Sequence, residues 1–319
     1  MADLVPWVYQ TALITRFRGL RQRDGILLRG DAGWGEFSPF WDYDDNESAP
    51  WLRSALEMAH TEAPAPVRSR IPVNVTVPAV GAQRAAQIVR GGRGCTTAKV
   101  KVAAAGDTEA AEVSRLEAVR DALGPGGRIR IDANGGWSPQ VAIRRIPVLD
   151  RAAGGLEYVE QPCPTVEDLA YVRKHVDVPI AADESIRRAE DPLRVVREHA
   201  ADIAVLKVQP LGGIRSALRI AEQIKIPVVV SSALESSIGI AAGVALAAAL
   251  PELPFACGLA TTLLFAHDPV AKSLVPTQGA LDVAAALDIQ RGGPTGEPAA
   301  GPRADRWRER LHRVGKLVE

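Results

Sequence analysis

Residues 156–185 read LEYVEQPCPTVEDLAYVRKHVDVPIAADES: an apolar run ending in Glu160, a helical pattern over Val166–Val176, and a second apolar run ending in Asp183. Neither run alternates with polar residues, so each reads as a strand buried on both faces, as in a parallel sheet covered by helices. The unit repeats in both directions along the chain. A first strand of this type falls at Pro72–Val77, and others end near Lys101, Asp132, Glu160, Asp183, Lys207, Ser231 and Gly258. From Lys101 the intervals are 31, 28, 23 and 24 residues to Lys207. Helical periodicity fills the gaps at Thr108–Leu123, Val166–Val176, Asp191–Ala200, Ile214–Ile224 and Ile238–Leu250. Eight such units in series predict an α/β chain closed into a TIM-like (β/α) barrel rather than an open sheet.

On this reading the barrel occupies residues 71–285, and the flanks differ from it. Residues 1–70 predict a small α+β domain. It has alternating stretches at Val5–Arg16 and Gly25–Arg29, a turn at Gly30–Gly33, a strand at Trp34–Ser38 and a helix from Glu47 to Thr61, with Pro64 and Pro66 at the joint. Residues 286–319 form a C-terminal segment. Its Gly- and Pro-rich part, Gly292–Pro302, reads as a flexible connection, and the arginine-rich helix Arg303–Val314 reads as amphipathic and packed back on the first domain.

Composition excludes several classes of function. The 319 residues carry 38 basic and 38 acidic side chains, so no net field draws the chain to nucleic acid or anionic lipid. The expected partner is a small molecule. Cys95, Cys163 and Cys257 are few and scattered, which suits a reducing cytoplasm better than a disulfide framework or a zinc site. The N-terminal stretch is interrupted by Tyr9, Gln10 and Thr11 and does not read as a signal peptide. Ile238–Leu250 is too short to span a membrane and reads as a buried helix.

The ends of barrel strands build the active sites of this fold, so the terminal charges matter most. They come in order: Ala98-Lys99-Val100-Lys101, Ile131-Asp132-Ala133-Asn134, Val159-Glu160-Gln161-Pro162, Ala182-Asp183-Glu184-Ser185 and Leu206-Lys207-Val208. Three adjacent acids are flanked by lysines in a chain where only seven of the 38 basic residues are lysine. Carboxylates converging on one point raise one another's pKa unless a cation lies between them. Oxygen ligands without His or Cys suit Mg²⁺, with Mn²⁺ as a substitute. Lys99 and Lys101 are two apart on a strand and share a face, while Lys207 comes from the opposite wall. Two such lysines reach opposite faces of one carbon, which suits removal of a proton beside a metal-held carboxylate, with the metal stabilising the developing enediolate. A lysine base has to lose about three units of pKa to be neutral near pH 7.4, and the Lys99 ammonium beside Lys101 acts in that direction. Lys99 also reads as an ion-pair partner beneath the carboxylates.

With Lys-x-Lys, Asp-Ala-Asn-Gly-Gly-Trp, Glu-Gln-Pro, Ala-Asp-Glu-Ser and the later Lys in this order, the chain resembles the enolase superfamily, in its lysine-based muconate lactonising subgroup. Proton abstraction by a lysine or histidine base with Mg²⁺ is the established chemistry of that superfamily. The resemblance implies that Asp132, Glu160 and Asp183 bind Mg²⁺, that Lys101 and Lys207 form the acid/base pair, and that residues 1–70 cap the barrel mouth. Gly33-Trp34-Gly35-Glu36-Phe37-Ser38-Pro39-Phe40 and Ser231-Ser232-Ala233-Leu234-Glu235-Ser236-Ser237 narrow it to members that dehydrate 2-succinyl-6-hydroxy-2,4-cyclohexadiene-1-carboxylate to 2-succinylbenzoate. Lys101 would then both remove the proton and protonate the departing hydroxyl. Substrate contacts are expected from Lys99, Asn134, Ser232, Ser236 and the basic cap loop Arg16–Arg23, notably Arg18 and Gly19, read either as a lid or as a solvated hairpin turn. Gly212-Gly213 reads as an anion site or a tight turn. Proline, which directly follows the last lysine in many relatives, stands here at Pro210. Related readings are an N-succinylamino acid racemase, a dipeptide epimerase or a muconate cycloisomerase. More distant ones are a Schiff-base lyase acting through Lys207 and a noncatalytic scaffold.

Overall fold

The computed structural model describes residues 6–188 and 191–318. The chain starts with strands β1 (Trp7–Phe17), β2 (Leu20–Gly30) and β3 (Gly33–Phe37) and helix α1 (Asp45–His60). The predicted start of the first strand, Val5, lies outside the described residues. The three strands form an antiparallel sheet in the order β1-β2-β3, with Trp7 opposite Leu27 and Ile26 opposite Phe37. Asp44 caps α1: its carboxylate accepts from the Glu47 amide at 2.8 Å, and the Glu47 side chain accepts in return from the Asp44 amide.

The barrel follows as β4 (Arg70–Pro72), β5 (Val75–Val77), α2 (Ala82–Arg90), β6 (Thr97–Lys101), α3 (Glu109–Leu123), β7 (Arg128–Asp132), α4 (Pro139–Ala153), β8 (Leu156–Glu160), α5 (Val166–Arg173), β9 (Ile180–Ala182), α6 (Glu184–Arg187), α7 (Arg194–Arg197), β10 (Ile203–Leu206), α8 (Ile214–Ile224), β11 (Val228–Val230) and α9 (Ser237–Ala249). After these come β12 (Ala280–Asp282), which pairs with β4, then α10 (Val283–Gly292) and α11 (Pro302–Gly315). Seven strands, β5 to β11, form one parallel sheet in sequence order. The predicted eighth strand near Gly258 is reduced to single bridges, Val73 to Cys257 and Ser231 to Gly258, both parallel. Pro251 and Pro254 precede it and supply no amide for a longer ladder. Those bridges still close the ring. Cys257 N donates to Pro72 O at 2.7 Å, Asn74 N to Cys257 O at 3.0 Å, and Gly258 N to Val230 O at 2.8 Å.

Strand alternation sorts the side chains. Ala98, Val100, Ile129, Ile131, Val159, Ile180, Ala182, Ala204 and Leu206 belong to the large core between strands and helices. Tyr158, Ala181, Ile203, Val205 and Val229 make a separate cluster, the filling of the barrel itself. Lys99, Lys101, Asp132, Glu160, Asp183 and Lys207 are in step with the second set, so all six point into the barrel mouth.

Two expectations are corrected here. The helix predicted at Asp191–Ala200 is the single turn α7, because Pro192 cannot continue a helix from upstream and His199 takes φ +51° at the far end. The flexible connection predicted at Gly292–Pro302 is tethered: Thr295 N donates to Pro269 O and Ala299 N to Val8 O, each at 2.8 Å. The predicted boundary between residues 285 and 286 falls inside α10. Beyond it, α11 buries Ala304, Trp307, Arg310, Leu311 and Val314 against the N-terminal domain, with the Trp307 ring 5.9 Å from Phe37. Among the described residues no helix is long and apolar enough to cross a membrane.

Candidate active site

A cavity of about 590 Å³ opens at the carboxyl ends of the strands, between barrel and N-terminal domain. Lys99 and Lys101 line it from β6, and Lys207 from the end of β10. Those strands are four apart in an eight-membered ring, so Lys101 and Lys207 face each other across the space. Beneath them lie Asp132, Glu160 and Asp183, each at most 1% exposed. Register brings the first two side by side, Asp132 opposite Glu160.

Every acid has a lysine partner. Lys101 Nζ is 2.5 Å from Asp132 Oδ2, Lys207 Nζ is 2.5 Å from Asp183 Oδ2, and Lys99 Nζ donates to both oxygens of Glu160 at 3.1 and 3.0 Å. Burial works against charge throughout. It raises Glu160, and the neighbouring Asp132 adds to this, leaving the carboxyl pushed up to about 7 despite Lys99. Burial likewise lowers Lys101, helped by the like charge of Lys99 and opposed by Asp132. For Asp132 the burial penalty is overcome by Lys101 and Lys99, and for Asp183 by Arg187 and Lys207, so both stay below the usual carboxylate range. Lys99 is raised, since Glu160 and Asp132 outweigh its burial.

Among the described residues no three His, Cys, Asp or Glu side chains converge closely enough to hold a metal as they stand, because the acids are turned to the lysines. The donor set nevertheless fits a divalent cation. It is all oxygen, it comes from three consecutive strands, and the middle carboxyl is raised by its acidic neighbour, a repulsion that a cation would relieve.

The other predicted contacts divide. Asn134 lines the cavity, with its Oδ1 accepting from Lys101 Nζ at 2.7 Å. Ser232 also lines it, donating to Gly258 O at 2.8 Å. Arg18 and Gly19 line it from the tip of the β1–β2 hairpin, where φ is +50° and +75°. The tip is the two-residue turn whose left-handed backbone matches strand twist, so the predicted loop Arg16–Arg23 shrinks to its centre. Arg18 lies over Phe40, 4.1 Å from the ring centre. Ser236 does not reach the cavity: it is fully buried, caps α9 and donates its hydroxyl to Glu36.

Glu36, on β3, belongs to a second buried network on the seam between the two parts. It accepts from Tyr9 Oη at 2.7 Å, Ser38 Oγ at 2.7 Å, Ser236 N at 3.0 Å and Gly239 N at 3.1 Å. A Cβ on residue 239 would lie 2.7 Å from Glu36 Oε2 and 2.6 Å from Glu235 Cβ, so glycine is required there. Burial raises Glu36, and it pushes the adjacent Glu235 up to about 7, with Glu36's charge contributing.

Phe17, within the predicted cap loop, covers Lys101, its ring centre 5.5 Å from Nζ. Two further residues were not anticipated. Arg187, at i+4 from Asp183, donates Nε to Asp183 Oδ1 at 3.0 Å and also bonds Tyr43 Oη, reaching from barrel to N-terminal domain. That i,i+4 spacing after an acidic strand end was the available signal. Gln161, at φ +41°, accepts from the Asp183 and Ser185 amides at 2.9 and 3.2 Å and so fixes the end of β9.

Comparison with known proteins places this geometry. The enolase C-terminal domain-like family model matches residues 81–287, and the enolase N-terminal domain-like model matches residues 8–59. The o-succinylbenzoate synthase of Thermobifida fusca (strain YX) is 63% identical over 271 residues, covering 85% of this chain and 84% of that protein. The o-succinylbenzoate synthase of Mycolicibacterium smegmatis is 54% identical over 304 residues, covering 95% and 92%. Among solved structures, a muconate lactonizing enzyme from Pseudomonas fluorescens complexed with muconolactone superposes with a TM-score of 0.77 at 22% identity, covering 98% of both chains. The L-Ala-D/L-Glu epimerase from Bacillus subtilis gives 0.75 at 21% identity, covering 93% of this chain and 97% of that one. At that identity the structural likeness speaks for the fold alone, a barrel with an N-terminal cap. The sequence relatives go further: the chain belongs to the enolase superfamily and, within it, to the o-succinylbenzoate synthases.

Proposed function

We propose that this chain dehydrates 2-succinyl-6-hydroxy-2,4-cyclohexadiene-1-carboxylate to 2-succinylbenzoate, a step of menaquinone biosynthesis, with Mg²⁺ held by Asp132, Glu160 and Asp183. The observation that carries the reading is the pair of lysines on opposite walls of one cavity, above three buried carboxylates. A bound divalent cation supplies Lewis-acid stabilisation of the charge that grows on the substrate carboxylate as the adjacent proton leaves. Asp132, Glu160 and Asp183 would hold that cation, and the burial of Lys101 beside Lys99 favours the neutral amine needed to accept a proton.

Lys101 takes the proton from the carbon beside the carboxylate and returns one to the departing hydroxyl, so a C–H and a C–O bond break, a ring double bond forms and water leaves. Both transfers are on one face, which makes the elimination syn. Lys207 faces the other side and stabilises the developing negative charge as a cation. Lys99 stays with Glu160 beneath the site. Asn134 orients Lys101, and Arg18 and Ser232 contribute to the cavity wall. Cys95, Cys163 and Cys257 are all free and buried, which supports work in a reducing cytoplasm.

The test is Mg²⁺-dependent loss of the cyclohexadiene absorbance, with Lys101→Ala beside wild type. Turnover that needs both metal and Lys101 is expected, the variant losing at least about 10³-fold. No turnover by folded, metal-loaded wild type would reject this substrate. A racemase of N-succinylamino acids needs both lysines as proton carriers, so that activity should vanish in Lys207→Ala.

A further inference from the structure

The loop after β11 differs from the other strand ends. Ala233 and Leu234 line the cavity, yet both pack in the hydrophobic core of the cap and not in that of the barrel. Leu234 has φ +65°, a left-handed conformation that side chains other than glycine adopt at a cost.

One cap side chain holds this segment. Arg23, on β2 and 1% exposed, donates Nε to Leu234 O at 2.9 Å, while Nη2 lies 3.5 Å from Ala233 O. Nη2 also donates to Ser38 O and to Ser38 Oγ at 3.0 Å, and Nη1 donates to Asp24 O at 3.0 Å. Its guanidinium sits over Phe40, 4.6 Å from the ring centre, and Phe40 is itself a cavity residue. The hydrogen-bond partners are carbonyls and a hydroxyl, with no carboxylate among them. The charges of Asp24, Glu36 and Glu235 nearby offset part of the cost of burying the guanidinium, while its direct contacts are neutral carbonyls and a hydroxyl. What the planar fork provides is direction: several donors in fixed relation, which a lysine cannot reproduce.

We infer that Arg23 is a positioning residue that sets the substrate wall at Ala233 and Leu234, beside Lys207, by clamping their carbonyls from the cap. It acts through those backbone groups and does not touch substrate. The wall follows β11, next to the strand that carries Lys207, so it bounds the ligand on that side of the cavity. The inference rests on the dehydratase reading for the identity of that ligand, not for the clamp itself.

The test compares wild type with Arg23→Lys and Arg23→Met, all as full chains with Mg²⁺. Arg23→Lys is expected to raise KM about tenfold while kcat stays within about threefold. Hydrogen exchange at residues 232–236 should quicken about tenfold in Arg23→Lys. A purely structural role would lower Tm and leave KM unmoved. Folded Arg23→Lys with wild-type KM and wild-type exchange overturns the inference. Should Arg23→Met not fold, Arg23→Lys decides alone. Should wild type not turn over the cyclohexadiene, the dehydratase reading fails and the exchange measurement alone decides the clamp.

Discussion

Of the buried carboxylates in this molecule, those at the barrel mouth and those on the seam with the cap are satisfied differently. At the mouth, Asp132, Glu160 and Asp183 meet ammonium and guanidinium groups: Lys101, Lys99, Lys207 and Arg187. On the seam, Glu36 meets two backbone amides and three hydroxyls, and Glu235 accepts from the Ala233 amide at 2.6 Å. Ion pairs lose little direction when a partner moves, so lysines held this way are free to change partners. Amides of a helix end are fixed, and the acid they hold is fixed with them. The first arrangement suits chemistry and the second suits alignment.

The contrast breaks most visibly at Glu160. Glu160→Gln is expected to lower kcat/KM by at least about 10³-fold, roughly 4 kcal/mol of transition-state stabilisation, and to weaken Mg²⁺ binding in calorimetric titration, with the fold retained. Activity near that of wild type would remove Glu160 from the metal set. The seam is expected to respond in stability instead. An unfolded glutamate titrates near 4.3 and the folded Glu235 near 7, so between these values the native chain holds a proton that the unfolded chain has released. Its contribution is therefore complete below about pH 4.5 and is lost as pH rises through about 7, on the order of 3 kcal/mol. Urea unfolding at pH 5 and pH 8 should show this decline in wild type and a flatter profile in Glu235→Gln. An unchanged slope in the variant would place the titration elsewhere. The smallest effect belongs to Ser236→Ala, which should cost about 1 kcal/mol as a lost helix cap and leave KM as it was. A raised KM would return Ser236 to the cavity.

What the sequence reveals follows the range of the interactions. The barrel and its polar set are readable because strand period and strand ends are local: Lys101, Asp132, Glu160, Asp183 and Lys207 each stand where an apolar run stops, and alternation then points them inward. Ser236 reads equally as a cap or a contact, because what decides it is Glu36, on another domain and far away in sequence. Arg23 sits in a basic stretch that suggests solvent, and only the cap's packing on the barrel shows that it is buried. Arg187 is a near neighbour of Asp183, yet its bond to Tyr43 is long-range. The shortened eighth strand has its cause in plain view, two prolines, but the bridges that close the ring depend on strands from both of its edges.

Trp307 of α11 completes the apolar cluster around Phe37, and Ala299 is bonded to Val8, so the cap is assembled from segments that precede and follow the barrel. On the ribosome the first half of this core therefore emerges long before the second. Phe37 and Trp41 wait for their contacts with Trp307 while every βα unit is synthesised, and this cluster is finished only when α11 has left the exit tunnel. Such late, distant contacts slow maturation and leave the nascent chain exposed to aggregation in the interval.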